Sequence, residues 1–240
     1  MTKDWFEDWF GEEYLALYPH RDESEAQHAV EMIADNVSNK RIDRVLDLAC
    51  GAGRHTRPLA DRWWTVGLDL SPVLLKVAHG AEPDGNYVRG DMRMLPFADR
   101  SFDLCVNLFT SFGYFESDAQ HLRVLAEVAR VVAIGGTFVL DFLNAGSVCT
   151  NLVERDERKV GTQMVEQHRT ITDGGRYVQK TISLSGSDKK FIERVRLFSV
   201  DELEMMLEES GFSVYARKGD YNGGPITDCS LRAILFGVRE

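Results

Sequence analysis

Residues 45–56, VLDLACGAGRHT, constrain the fold of this chain more than any other stretch. Val45, Leu46 and Leu48 make an apolar run of strand length with a carboxylate, Asp47, set inside it, and the run ends at Gly51 and Gly53. A strand that breaks at glycine and resumes as a helix is the βα turn of an α/β sheet. Glycine there permits a tight turn and lets a ligand approach the backbone closely. A dinucleotide fingerprint would need a third glycine where this chain has Thr56. The glycine pair alone therefore also fits an ordinary βα turn.

The alternation continues downstream. RVLDLAC, TVGLDL, NYVRGD, FDLCVNLFT and TFVLDFLN read as five strands. GRHTRPLADRW reads as a helix with Leu59 and Trp63 four apart, and SPVLLKVAHG as a helix capped by Ser71, with Pro72 in its first turn and Gly80 at its end. DAQHLRVLAEVARVV reads as a long helix with Leu122, Leu125, Val128 and Val132 on one face, stopped by Gly135 and Gly136. This order predicts parallel strands joined by right-handed crossovers, with helices on both faces. After Ser147 the pattern changes. Residues 163–171, 176–184 and 190–198 read as extended, with turns at DGGR (173–176) and GSDK (186–189), which predicts a three-stranded antiparallel insertion. SVDELEMMLEESG then predicts a helix with Ser199 as cap and Glu202 in a capping box, and FSVYARKG and LRAILFGVR predict the last two strands. Ahead of residue 40, WFEDWFGEEYLALY and ESEAQHAVEMIADNV read as helices.

The 240 residues suit one large α/β domain or a domain with an appended lobe, and 44% hydrophobic with 28% charged residues is the balance of a soluble globular chain. A net charge of −10 argues against a broad phosphate-backbone interface. Cys50, Cys105, Cys149 and Cys229 lie too far apart for a zinc-knuckle or CxxC spacing. Cys50 and Cys105 read as small buried hydrophobes, and a reducing compartment is the simpler reading. The start, MTKDWFEDWF, lacks the basic and apolar regions of a signal peptide, and no apolar run reaches the roughly 20 residues of a membrane helix. A cytoplasmic protein without a membrane partner is expected.

Two further acids sharpen the picture: Asp69 ends the second strand and Asp91 the third. Open α/β sheets bind ligands at the carboxyl ends of their strands. An acid at the end of strand two is placed to accept from both hydroxyls of a ribose, and Asp91 to meet an adenine amino group. Taken together, these residues resemble the class I S-adenosylmethionine-dependent methyltransferases. VLDLACGAGRHT looks like the family's first motif, VGLDLS its second, VRGDMRMLPF its third and FDLCVNLFTSFGYF its fourth, and LAEVARVVAIGGTFVLDF is similar to the helix and strand that follow. The resemblance is dense over about 40–145. It implies an α/β fold, a Rossmann-like seven-stranded mostly parallel sheet with helices on both faces and an antiparallel last strand, plus the small antiparallel β insertion. It also implies S-adenosyl-L-methionine as cofactor and S-adenosyl-L-homocysteine as product. The chain then divides into an N-terminal helical lid (1–40), the cofactor-binding half (41–147), the insertion as substrate cover or dimer contact (148–198), and a C-terminal helix and strands completing the sheet (199–240).

Carried over by position, the resemblance implies that Asp47 holds the methionine end of the cofactor, directly or through water, facing a cationic ligand. The backbone from Ala49 through Cys50 and Gly51 to Gly53 would line that end. Asp69 would take the ribose diol with Leu70 near the adenine, Asp91 and Met92 would contact the adenine, and Asn107 and Leu108 would sit beside the sulfonium. YLALYPHRDESEA (14–26) resembles the N-terminal cofactor lid of small-molecule methyltransferases, sugar-amine N-methyltransferases among them. That makes Tyr14, His20 and Arg21 candidates for closing over the methionine end, Arg21 by pairing with its carboxylate. His55 is either another cofactor neighbour or a helix-surface residue.

Methyl transfer from a sulfonium needs alignment more than a dedicated base, and orientation alone supplies roughly 7–11 kcal/mol. No catalytic residue is assigned, and His20, Tyr114 and Asp141 are the candidates should the acceptor need to lose a proton. NLFTSFGY stands in place of the Asn/Asp-Pro-Pro-aromatic signature of base-directed amino-methyltransferases, which with the acidic charge weighs against nucleic acid. The paired-glutamate loop of protein arginine methyltransferases is not evident, and no His/Asp/Glu grouping suggests a metal. Phe109, Phe112, Tyr114 and Phe115 either wall a substrate pocket or pack the core. Arg194 and Arg196 either greet an acidic substrate or lie on a solvated strand face. The favoured reading is methyl transfer to an N or O atom of a small molecule by in-line displacement, with a homodimer left open. Methylation of tRNA or protein, a non-catalytic S-adenosylmethionine-binding protein and, less favoured, an NAD-dependent oxidoreductase are the alternatives.

Overall fold

The computed structural model describes residues 4–18, 22–37 and 41–240. The chain opens with α1 (Trp5–Trp9), α2 (Glu12–Leu17) and α3 (Glu23–Val37). It then alternates through β1 (Arg44–Leu48), α4 (Thr56–Ala60), β2 (Trp64–Asp69), α5 (Pro72–Ala81), β3 (Asn86–Arg89), β4 (Phe102–Asn107), α6 (Asp118–Val131) and β5 (Val132–Leu143). α7 (Ala145–Asn151) leads into β6 (Arg155–Val160), β7 (Gln163–Thr172), β8 (Tyr177–Leu184) and β9 (Lys190–Arg196), and α8 (Val200–Glu209), β10 (Phe212–Lys218) and β11 (Arg232–Arg239) close the chain.

Seven strands form one sheet in the order β10-β11-β5-β4-β1-β2-β3. β1, β2, β3, β4 and β5 pair in parallel, while β11 runs antiparallel to both β5 and β10. This is the expected Rossmann-like sheet with its antiparallel last strand. Side chains alternate between its faces. Leu46, Leu48, Phe138, Leu140 and Leu235 pack toward α6 and α8, whose Val124, Leu125, Leu203 and Leu207 belong to the same core. Val45, Leu104, Val139 and Ile234 pack on the other face toward Val30 and Ile33 of α3 and Leu59 of α4. By the same two-residue period, Asp47, Asp141 and Arg232 share this second face. A third cluster joins Trp9, Tyr14 and Leu17 of the first two helices to Leu74 of α5 and to Val165 and Ile182 of the insertion. α1 and α2 thus sit between the large sheet and the insertion. Among the described residues no helix is long and apolar enough to cross a membrane.

The structure corrects the sequence reading at several points. The insertion is a four-stranded sheet, β6-β7-β8-β9, not a three-stranded one. β6 reads RDERKV and alternates exposed with half-buried residues, so it carries no apolar signal. Gly135 and Gly136 do not stop α6. The helix ends at Val131, and both glycines lie inside β5. The buried stripe of α6 is His121, Val124, Leu125, Val128 and Val131, leaving Leu122 half-buried. The helix read over 53–63 shortens to Thr56–Ala60, α5 continues past Gly80 to Ala81, and WFEDWFGEEYLALY divides at Gly11, which caps α2. Arg194 pairs with Asp173 at 2.5 Å over the Tyr177 ring, and buried Arg196 pairs with Glu202 at 3.0 Å. Both serve the insertion and its junction with α8.

Gly136 lies in the register shift between the Val132–Phe102 and Thr137–Leu104 pairs of β5 and β4. A Cβ there would stand 2.7 Å from the Ala133 carbonyl oxygen and 2.9 Å from that of Asp103, both backbone atoms with little freedom to retreat. Gly136→Ala is expected to destabilise by about 1–3 kcal/mol, lowering Tm by roughly 2–12 °C in a chain of this size. A thermal melt of the variant checks it.

Candidate functional site

The site is built on the turn that follows β1. Ala49, Gly51 and Gly53 take positive φ of 61°, 57° and 77°. The Gly51 amide donates to Asp69 Oδ2 and the Ser71 amide to Asp69 Oδ1, each at 2.8 Å. One carboxylate at the end of β2 therefore holds the β1 turn and the start of α5 together. Gly53 admits no side chain, since a Cβ would lie 2.6 Å from the Tyr87 hydroxyl. Thr56, where a third glycine was missing, has a role of its own: its hydroxyl donates to Asp47 Oδ2 at 2.6 Å. Burial pushes Asp47 up to about 7, with the nearby Asp69 charge adding and Thr56 opposing. Burial also raises Asp69, against the pull of the Ser71 and Gly51 amides.

A cavity of about 590 Å³ opens above this turn. Of the residues expected there, Tyr14, Ala49, Cys50, Gly51, Asp69, Leu70, Asp91, Met92 and Leu108 line it, as does His55. Three do not. Asp47 is buried behind the turn on Thr56, Gly53 packs against Tyr87 and Ala78, and Asn107 is buried with its amide donating to Leu48 O at 2.9 Å. These three shape the turn from behind. His20 and Arg21 lie outside the described residues. Asp91 lines the cavity with its carboxylate committed. Arg93 grips both oxygens at 2.7–3.1 Å and also pairs with Asp4 at 2.9 Å. Burial pushes Asp91 up, but the Arg93 hydrogen bonds outweigh it and its carboxyl lies below the usual range.

A second chamber of about 1090 Å³ adjoins the first. The two share Phe10, Tyr14, Tyr18, Phe109 and Tyr114, an aromatic partition. Tyr114 stacks on Phe10 with centroids 5.7 Å apart, and its carbonyl accepts from the Trp5 indole at 3.2 Å. Phe115 lines the first cavity, whereas Phe112 is core, packed against Phe142 and Phe198. Phe109 and Thr110 both take left-handed φ, 59° and 61°. Asp141 holds them there. Its carboxylate accepts from the Phe109 amide at 2.8 Å, and its carbonyl accepts from the Thr110 amide at 3.0 Å. The same carboxylate accepts from the Tyr221 hydroxyl at 2.6 Å and from Arg232 Nε at 2.5 Å. Asp141 is buried and fully engaged, which corrects its candidacy as a base. The Arg54 and Arg232 guanidiniums lie 4.5 Å and 5.1 Å from the Phe109 ring. Phe10, Tyr18, Arg54, Tyr221 and Arg232 are site residues that the sequence reading missed. Among the described residues, no grouping of His, Cys, Asp or Glu could hold a metal.

The fold and this turn define a Rossmann-like protein with a nucleoside-sized cavity at the carboxyl ends of its parallel strands. Residues 45–136 match the family described as a methyltransferase domain. A demethylmenaquinone methyltransferase of Renibacterium salmoninarum is 38% identical over 110 residues, 45% of each chain. A dTDP-3-amino-3,6-dideoxy-alpha-D-glucopyranose N,N-dimethyltransferase of Streptomyces fradiae is 26% identical over 75% of this chain and 73% of that one. This chain therefore spans under half the length of the first relative and about three quarters of the second. The solved structure of an S-adenosylmethionine-dependent methyltransferase from Clostridium acetobutylicum superposes with a TM-score of 0.80 at 18% identity, covering 94% of this chain and 95% of that one. Residues 45–136 thus carry a methyltransferase domain, and the fold is the one found in the class I S-adenosylmethionine-dependent methyltransferase superfamily.

The residues present fit that superfamily's cofactor. After accepting one backbone amide, each Asp69 oxygen keeps a lone pair for a ribose hydroxyl. Leu70, Met92 and Leu108 offer an apolar bed for a base, and the bare backbone at Gly51 leaves room for close approach.

The Asp47 shift has a consequence for stability. The folded protein holds this proton up to about pH 7, whereas the unfolded chain loses it near 3.8. The folded state binds more protons in that window, so the stability contributed by this group is fully present below about pH 4 and falls as pH rises through 7. Asp47→Asn keeps an oxygen for Thr56 and removes the titration. Between pH 5 and pH 8, the Tm of the ligand-free variant should fall less than that of the wild type in parallel thermal melts.

Proposed function

We propose that the protein transfers the methyl group of S-adenosylmethionine to a nitrogen or oxygen of a small molecule by in-line displacement. The observation that carries this reading is the meeting of two chambers at one aromatic partition. The smaller has the acid and the glycine turn suited to an adenosyl group, and the larger has room for an acceptor. The fradiae relative, named for methylation of an amino sugar, supports a small-molecule acceptor over three quarters of this chain.

When bound, S-adenosylmethionine supplies a methyl group already activated on a sulfonium. The residues of this chain have the remaining work of binding and orientation. Asp69 accepts from the ribose hydroxyls, Leu70 and Met92 bed the adenine, and the backbone at Ala49 to Gly51 receives the methionine end. Asp91, held by Arg93, contributes to the adenine edge through its position beside Met92. The helices within residues 1–40 act as a lid, because Phe10, Tyr14 and Tyr18 wall both chambers and exclude water. The insertion within 148–198 acts as a substrate cover, because Lys180 and Glu193 line the larger chamber. The reading goes with a cytoplasmic protein acting on soluble metabolites.

Asp69→Ala should weaken S-adenosylhomocysteine binding about tenfold or more, the loss expected for charge-assisted hydrogen bonds. Titration calorimetry reads it, and an unchanged Kd would remove Asp69 from the site. The activity itself is tested by S-adenosylhomocysteine release with a panel of nucleotide-linked amino sugars and quinols. Methyl label recovered only in protein or tRNA would overturn the small-molecule reading.

A further inference from the structure

Tyr221 lies in the loop between β10 and β11 and lines the larger chamber. Its hydroxyl donates to Asp141 Oδ2 at 2.6 Å, the same oxygen that accepts from the Phe109 amide at 2.8 Å. A phenol has one proton to give, and here it goes to a carboxylate with no exposed surface. Burial and the adjacent Asp141 charge push Tyr221 far up, so that proton stays. For the chamber, the phenolic oxygen retains only acceptor lone pairs. The loop itself is pinned: Asp220 Oδ1 accepts from the Asn222 and Gly224 amides at 2.8 Å and 3.0 Å, and Gly219 N donates to Gly224 O at 2.7 Å. Tyr221 is therefore a fixed acceptor that shares a carboxylate oxygen with the residue at which the two chambers meet.

We propose that Tyr221 selects the methyl acceptor by accepting a hydrogen bond from it, and that this acceptor is an amine carrying at least one N–H. The proposal rests on the methyltransferase reading above. The amine, having first given its ammonium proton to water, attacks with its lone pair while an N–H remains on Tyr221. The new C–N bond forms as the C–S bond breaks, the C–S pair passes to sulfur, and the methylated ammonium later gives its proton to water. A hydroxyl acceptor must shed its proton as the C–O bond forms, and Tyr221, already protonated with that proton held by Asp141, cannot receive it.

The test uses benzylamine, benzyl alcohol and benzyltrimethylammonium as probes of one skeleton, titrated into the full chain saturated with S-adenosylhomocysteine. Benzylamine should bind Tyr221→Phe about five- to tenfold more weakly than wild type, the loss of one hydrogen bond. Benzyltrimethylammonium, which has no N–H, should bind both alike. Wild type should methylate benzylamine and leave benzyl alcohol untouched. An S-adenosylhomocysteine Kd within twofold of wild type shows that the variant keeps its fold. Equal weakening of both cations, no weakening of either, absence of benzylamine binding, or methylation of benzyl alcohol overturns the proposal. Failure of wild type to bind S-adenosylhomocysteine would instead overturn the methyltransferase reading itself.

Discussion

Two carboxylates, half-buried Asp69 and buried Asp141, hold backbone amides in conformations the chain would otherwise leave, and both chambers depend on them. Asp69 draws the Gly51 and Ser71 amides to the end of β2, which brings the β1 turn and the start of α5 to one rim. Asp141 does the same at the end of β4, where Phe109 and Thr110 adopt left-handed φ without being glycine. Each such residue costs about 1–2 kcal/mol. Hydrogen bonds to a buried charge contribute about 1.5–3 kcal/mol and offset that cost. The strain at Phe109 is thus sustained from β5, and its ring stands where the two chambers meet.

The local part of this arrangement was legible in the sequence. The β1 strand, its glycine turn, the Ser71 cap and the Ser199–Glu202 capping box all depend on residues a few positions apart. Asp69 was legible because strand ends of parallel sheets gather ligands. Thr56 was read only as a missing glycine, whereas its hydroxyl partners the one acid buried in β1. β6 escaped notice because RDERKV pairs with β7 by backbone while showing no buried apolar face. The Asp141 hub joins residues 80 and 91 positions apart, beyond any periodicity argument. A signal for it did exist. VLDF at 139–142 repeats the VLDL of 45–48, an acid inside a buried strand in both cases, and in both the acid turns to the face shared with α3 and α4.

Asp91 was assigned to the adenine by position, yet its carboxylate is taken by Arg93, and Arg93 reaches on to Asp4. An acid that lines the smaller cavity thereby belongs to an ion-pair chain that ends on the N-cap of α1. Both members are partly shielded from solvent, so this chain is screened less than a surface pair. The segment before α3 is tied to the large sheet by other bonds as well: the Ser71 hydroxyl donates to Phe10 O, and the Trp5 indole to Tyr114 O.

The remaining bonds of that segment run to the other sheet. The Trp9 indole donates to Glu193, and Arg158 donates to Leu17 O. α1 and α2 together are only 11 residues, too short to be stable helices alone, and tertiary contacts on both sides supply their order. Tyr14 and the cap residues Phe10 and Tyr18 supply one side of the partition between the chambers, so its position is set jointly by the carboxyl end of the large sheet and by the insertion. Glu193 and Arg158 thereby bear on the smaller cavity without lining it, through the segment that carries Phe10 and Tyr14. The insertion and the first two helices are in this sense one unit, and the larger chamber is closed by the same aromatic residues that wall the smaller one.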